Sequence, residues 1–146
     1  PEFNQRYQGY VKALLEAGQI VNPKLQLDAE TSEQQGYDAT MALLKSKLQF
    51  DAIFGASDLI VIGAIKALKE HGLKVPKDVA VVGFDNIATA SYMNPPLTTI
   101  QQDTMRAGEL LVESLLKIID GEEVSSMLMP AKLIVRDSCG ANLEKD

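Results

Sequence analysis

The most constraining feature of this 146-residue chain is a short apolar run that ends in a glycine and an acidic residue. Val79 to Val82 are apolar and mostly β-branched, which is typical of a strand buried within a parallel sheet. Gly83 follows this run and permits a tight turn. Asp85 is therefore expected at the carboxyl edge of the sheet, where ligands bind in open α/β folds.

Strand and helix patterns alternate along the part of the chain that precedes Pro95. Apolar spacing and capping residues predict helices over residues 4–17, from a cap at Thr31 or Ser32 to Lys47, and from a cap at Ser57 or Asp58 to Gly72. Apolar runs predict strands at 51–56 and 79–83, and a weak strand at 25–27. This alternation is typical of right-handed βαβ units, which form a parallel sheet.

The pattern changes after Pro96. Thr98-Thr99-Ile100 predicts a short strand, and residues 103–119 predict a helix that ends at Gly121. Residues 127–136 predict a final extended stretch, in which Pro130 marks an edge or a kink. The chain then becomes polar, which predicts a loose tail.

Composition excludes several classes of function. The chain has 20 acidic and 14 basic residues, a net charge of −6, so we expect no DNA binding by these residues alone. A single cysteine and a single histidine make an internal disulfide or a zinc site of Cys and His implausible, and we expect no cofactor. No nucleophile and base share a motif, so no enzyme is predicted. No apolar run approaches the roughly 18 residues of a membrane span.

Six short sequence blocks lie in a fixed order between Arg6 and Ser138. They are Arg6-x-x-Gly9-Tyr10, Gly36-Tyr37, Ala56-Ser57-Asp58 with Gly63-Ala64, Val81-Val82-Gly83-Phe84-Asp85, Pro95-Pro96-Leu97-Thr98-Thr99-Ile100, and Leu133-Ile134-Val135-Arg136-Asp137-Ser138. Together and in this order they resemble the effector-binding core of LacI/GalR-family transcriptional regulators. Each block is modestly specific by itself, and the strength of the resemblance lies in their common order.

The resemblance implies an α/β fold of the periplasmic-binding-protein-like type I class, a parallel sheet with flanking helices. The second lobe would be nearly complete, and the first lobe would be represented by its C-terminal part. The implied bounds are 1–97 for the second lobe, 98–122 for a crossover strand and helix of the first lobe, 123–140 for the final crossover and a second-lobe strand, and 141–146 for a tail. The family's N-terminal helix-turn-helix, its hinge helix and most of its first lobe have no counterpart here.

The resemblance also implies a ligand site between two lobes. The implied ligand-binding residues are Arg6, Ser57, Asp58, Asp85 and Gln102. A guanidinium fork and a carboxylate suit the vicinal hydroxyls of a sugar. Alternatives remain open: Arg6 as a solvated arginine in a first helical turn, Asp58 as a helix cap, Asp85 as a turn or helix-capping aspartate, and Gln102 as a surface hinge residue. Phe84 is expected to pack.

The function implied by the resemblance is effector sensing and dimerisation in a transcriptional regulator. A sugar or small polar metabolite would be the effector, operator DNA would be bound only through the missing helix-turn-helix, and the protein would be cytoplasmic, with no membrane partner. The helix from residue 58 is apolar on more than one face, so we expect a homodimer interface that includes Ile62, Tyr92 and Met93. The alternative is a periplasmic sugar-binding protein of a transporter.

Overall fold

Helices alternate with strands for most of the chain in the computed structural model, which describes residues 2–143. The helices are α1 (Glu2–Glu16), α2 (Glu33–Lys45), α3 (Asp58–Glu70) and α4 (Thr104–Ile119), and the strands are β1 (Ala52–Phe54), β2 (Ala80–Val82), β3 (Thr99–Gln102) and β4 (Ala131–Ile134). Short 3-10 helices span Pro23–Leu25 and Ala88–Tyr92. The predicted helices are confirmed with close bounds. The lobe boundaries stay a prediction, and residues 144–146 of the predicted tail lie outside the described residues.

The weak strand predicted at residues 25–27 is wrong. A 3-10 helix occupies Pro23–Leu25, and the side chain of Asn22 caps it by accepting a hydrogen bond from the Lys24 amide at 3.1 Å. The proline ring sets a φ that suits the first residue of a helical turn. The Asn-Pro pair was therefore a helix-start signal that outweighed the short apolar alternation after it.

The central sheet is parallel, as predicted. Strand β1 pairs with β2 in the register Ala52↔Ala80 to Phe54↔Val82, and Val82 forms a further parallel bridge with Thr98. The second sheet differs, because β3 pairs antiparallel with β4 in the register Thr99↔Ile134 to Gln102↔Ala131. The final extended stretch therefore runs beside β3 in the opposite direction.

Helix α3 is the centre of the hydrophobic core. The core residues come from α3, from β2 and the residue before it, and from two segments that follow β2: Val61, Ile65, Leu68, Val79, Val81, Ala90 and Leu97. Helix α2 crosses α3 so closely that an added Cβ on Gly63 would overlap the carbonyl oxygen of Glu33, and one on Gly36 would overlap that of Ile60. Only glycine permits this approach of two helix backbones. The crossing fixes α3, and with it the residues at the start of α3.

Helix α4 is amphipathic and yet buries none of its residues. Most of its large apolar side chains, among them Leu111, Leu116 and Ile119, are more than half exposed, and Leu128 after the helix is fully exposed. Among residues 2–143, nothing buries this apolar face. The periodicity therefore predicted the helix correctly, although the burial that normally accompanies such periodicity is not found within residues 2–143.

Candidate functional site

The turn from Gly83 to Ile87 follows β2 at the carboxyl edge of the sheet. Asp85 and Asn86 both have positive φ angles, 108° and 51°, which Asp and Asn tolerate better than most residues. Hydrogen bonds from backbone amides connect the turn to β3. The Asp85 amide donates to the carbonyl oxygen of Ile100 at 2.8 Å. The Asn86 amide donates to Thr99 Oγ1 at 3.3 Å. The turn is thus attached to β3 at Asp85 and Asn86.

Arg6 reaches from α1 to this turn. Its Nη1 donates to the carbonyl oxygen of Ala56 at 2.5 Å, and its Nη2 lies 3.6 Å from Asp85 Oδ1. The guanidinium carbon lies 3.7 Å from the centroid of the Phe84 ring, within cation–π distance. The Arg6 side chain is 13% exposed, so it is not the solvated arginine of the alternative interpretation. It lies in the second turn of α1, not in the first as predicted.

The Asp85 carboxylate is a partly desolvated acceptor. Burial raises the pKa of Asp85 above its ordinary value, the positive charge of Arg6 opposes that rise, and the negative charge of Asp58 adds to it. Its side chain still has 37% of its surface exposed, so one side remains open to a ligand. Arg6 and Asp85 therefore present a donor and an acceptor side by side at the edge of the sheet.

Ser57 and Asp58 are buried beneath this pair. Ser57 is the N-cap of α3, and its Oγ accepts from the Leu59 amide at 3.2 Å, so the capping alternative holds for Ser57 and not for Asp58. Both carboxylate oxygens of Asp58 are occupied: Oδ1 accepts from Thr99 Oγ1 at 2.6 Å and Oδ2 from the Ile87 amide at 2.9 Å. Both residues are almost completely buried. The geometry gives Asp58 a supporting role under the turn.

Gln102 makes no hydrogen bond to the other predicted site residues within residues 2–143. It is the last residue of β3, opposite Ala131, and it is exposed. Its side chain makes no hydrogen bond within residues 2–143. The structure brings Arg6 and Asp85 together and places Ser57 and Asp58 below them. Ligand binding by these four residues and by Gln102 stays a prediction.

Three polar residues at this site were not predicted: Asn86, Thr99 and Arg136. Arg136 follows β4 and donates from Nη2 to Asn86 Oδ1 at 2.9 Å and from Nη1 to the Leu97 carbonyl oxygen at 2.7 Å. These partners are distant in sequence, so local spacing could not reveal them. The available signal was an arginine at the end of an otherwise apolar block, Leu133-Ile134-Val135.

The predicted dimer residues differ in burial. Tyr92 is 88% exposed, Ile62 is half-buried on α3, and Met93 packs against the protein's own core. All three stay predictions.

In the described part of the chain, no cluster of three His, Cys, Asp or Glu side chains could hold a metal ion. No helix within residues 2–143 is long and apolar enough to span a membrane.

Comparison with known proteins agrees with this fold. Residues 1–139 match the family described as periplasmic binding protein-like domain. The HTH-type transcriptional repressor PurR of Pasteurella multocida is 35% identical over 140 residues, which are 94% of this chain and 42% of that protein. This chain therefore spans less than half of the length of that relative.

Two solved structures extend the comparison. The transcriptional regulator CelR in complex with cellobiose is 36% identical, with a TM-score of 0.86 over 91% of this chain and 41% of that one. The lac repressor dimer bound to operator and the anti-inducer ONPF is 32% identical, with a TM-score of 0.83 over 92% of this chain and 40% of that one. This chain belongs to the family of periplasmic-binding-protein-like domains, in the form that LacI-type regulators carry as their effector-binding domain.

Proposed function

We propose that this chain senses a sugar or another small polar effector through Arg6 and Asp85, and that the full-length protein is a transcriptional regulator. The observation that carries the proposal is the pairing of these two side chains over Phe84, at the carboxyl edge of the parallel sheet. That edge is where ligands bind in open α/β folds. The cellobiose complex of CelR supports a sugar as the class of effector.

The chemistry of the pair suits vicinal hydroxyl groups. Arg6 uses one N–H for the Ala56 carbonyl and keeps further donors in the same plane. Asp85 Oδ1, 3.6 Å from Arg6 Nη2, supplies an acceptor beside those donors. Because each sugar hydroxyl both donates and accepts, two adjacent hydroxyls can satisfy both side chains. The guanidinium covers one face of Phe84, so that face is not available for stacking against a sugar ring.

Regulation follows if the effector binds one arrangement of the two lobes more tightly than another, since a ligand shifts an equilibrium by its differential affinity. DNA would be bound by parts of the full-length protein beyond this acidic chain, whose net charge is −6.

We also propose a homodimer through Ile62, Tyr92 and Met93, in a cytoplasmic protein, and the lac repressor dimer on its operator supports this assembly. No catalytic or membrane role is part of the proposal.

The similar proteins favour a regulator over the binding protein of a transporter, because PurR, CelR and the lac repressor are all transcriptional regulators. An effector-dependent change in operator binding by the full-length protein distinguishes the two. A transporter's binding protein would bind its sugar and show no such response.

The decisive experiment is calorimetric titration of the full-length protein with cellobiose and a panel of mono- and disaccharides. Arg6→Ala and Asp85→Ala each leave ligand polar groups unpaired, at a cost of about 2–4 kcal/mol. We expect a dissociation constant weaker by a factor of roughly 30 to 1,000, with the fold intact. Lys12→Ala is the matched control, because Lys12 is an exposed cation on the same helix that pairs only with Glu16. Binding within about twofold of the parent in both site variants would refute the assignment.

A further inference from the structure

The turn that carries Asp85 depends on its surroundings for its conformation. Two consecutive non-glycine residues with positive φ are uncommon and persist where neighbouring groups hold them. The Arg6 side chain contacts Asp85 from one side at 3.6 Å, which does not fix the backbone of Asn86. Other contacts must therefore select this conformation.

One support is the buried pair Asp58 and Thr99. The Thr99 hydroxyl donates to Asp58 Oδ1 at 2.6 Å and accepts from the Asn86 amide at 3.3 Å. The second carboxylate oxygen of Asp58 accepts from the Ile87 amide at 2.9 Å. This pair satisfies the Asn86 and Ile87 amides and leaves the Asn86 side chain to be fixed by another group.

Arg136 fixes that side chain. Its two terminal nitrogens reach different segments at once, Nη2 the Asn86 Oδ1 at 2.9 Å and Nη1 the Leu97 carbonyl oxygen at 2.7 Å. Its backbone amide donates to Thr98 Oγ1 at 2.8 Å, which anchors its own segment to the chain before β3. A planar fork of donors can join two acceptors in a fixed geometry, whereas a lysine ammonium is a single point of attachment.

We propose that Arg136 is a positioning residue of the effector site, which acts through Asn86 to hold the Gly83–Ile87 turn in the conformation that presents Asp85 to the ligand. Arg136 does not contact the ligand itself. The effect on affinity rests on the proposed function, whereas the effect on the turn does not, so the two are measured separately.

The first measurement is amide hydrogen exchange in the full-length protein. Asn86→Gly removes the acceptor and tolerates the positive φ, and Arg136→Lys keeps the charge and removes the fork. Loss of the charged hydrogen bond is expected to lower protection of the Asp85 and Ile87 amides about tenfold. The Val81 amide, which donates to the Ser138 carbonyl oxygen, is the internal reference and should keep its protection in Asn86→Gly.

A double-mutant cycle separates this link from general loosening of the turn. If Arg136 acts through Asn86, the double variant should exchange no faster than either single variant, because both remove the same contact. Asn86→Asp, unlike Asn86→Gly, keeps an acceptor for Arg136, so it should keep the amide protection of the parent. Arg106→Lys is the matched control, since Arg106 pairs with Glu109 and Glu113 on α4. Additive effects in the cycle, or unchanged exchange in both single variants, would overturn the proposal.

The second measurement is the affinity for whichever sugar of the titration panel, beginning with cellobiose, binds the parent. Arg136→Lys and Asn86→Gly should weaken binding about tenfold, and Asn86→Asp should bind within about twofold of the parent. Unchanged affinity in both Arg136→Lys and Asn86→Gly would overturn the role of Arg136 in ligand binding. If the parent binds no sugar, the proposed function fails, and the exchange data decide the role of Arg136 alone. If Arg136→Lys does not fold, the two Asn86 variants decide.

Discussion

The α2–α3 region and the α4 region have equally clear helical patterns in the sequence, but they differ in burial. Helix α3 buries seven of its thirteen residues, whereas α4 buries none of its sixteen. Both helices are amphipathic, and both begin with a capping side chain, Ser57 for α3 and Asp103 for α4. The difference is the partner: α3 lies between α2 and the parallel sheet, while no other element within residues 2–143 buries the apolar face of α4. Amphipathicity therefore predicts a helix, and only the neighbouring elements determine how much that helix stabilises the fold.

Truncation of one leucine in each region tests whether the two helices differ in packing. Leu68 on α3 has no exposed surface, so Leu68→Ala is expected to lower the free energy of unfolding of this chain by about 2–5 kcal/mol. Leu116 on α4 is 56% exposed, and Leu116→Ala should change that free energy by no more than about 0.5 kcal/mol. Denaturant unfolding of the two variants measures both values. Equal losses would show that α4 is packed in solution.

Replacing a glycine in each region should give effects of opposite sign. Gly63→Ala forces a methyl group into the Glu33 carbonyl oxygen, and overpacking of this kind costs about 1–3 kcal/mol or more. Gly108 on α4 has open space around it, so Gly108→Ala should stabilise the helix by about 0.5–1 kcal/mol. Thermal unfolding of the two variants is the measurement. A stabilised Gly63→Ala variant would contradict the close crossing of α2 and α3.

A smaller effect is expected for the free energy of unfolding, which should depend on pH through Asp85 at the edge of the sheet. Because burial raises the pKa of Asp85 above its ordinary value of 3.8, the folded state takes up this proton more readily than the unfolded state. The resulting stabilisation is complete below the ordinary pKa and is lost as pH rises through the raised pKa. Asp85→Asn imitates the protonated form, so it should be more stable than the parent at neutral pH. The gap should close as the pH falls below 3.8.

Unfolding curves of the parent and Asp85→Asn, recorded over a series of pH values, test this sign. A variant that is less stable than the parent at neutral pH would mean that the attraction of Arg6 outweighs the burial of Asp85. In that case the edge of the sheet would be more hydrated than its geometry indicates.

Most of the fold could be predicted from the sequence, because its signals are local. Apolar spacing and the cap at Ser32 predicted α2, and the run at Val79 to Val82 predicted β2 and the turn after it. The strand predicted at residues 25–27 was wrong, because Pro23 starts a helical turn there. The antiparallel pairing of β3 with β4 depends on contacts between distant segments, which no local pattern contains.

The candidate site could be predicted only in part, for the same reason. The resemblance named Arg6 and Asp85, and the structure places them 3.6 Å apart. It also named Asp58, but the occupation of both its carboxylate oxygens by Thr99 and Ile87 depends on two chain segments that meet only in the fold. The contact of Arg136 with Asn86 joins residues 50 positions apart and has no signature in spacing.

The close crossing of α2 and α3 has a mechanical consequence for the site. Side chains absorb small displacements by changing rotamer, whereas backbone atoms have no rotamers and transmit a displacement undiminished. At Gly36 and Gly63 the two helices are in contact through their backbones, so they are expected to move as one rigid body. Asp58 is the first residue of α3, and its side chain accepts a hydrogen bond from the Ile87 amide. A shift of the turn on ligand binding would therefore displace α2 and α3 together, and not bend one against the other.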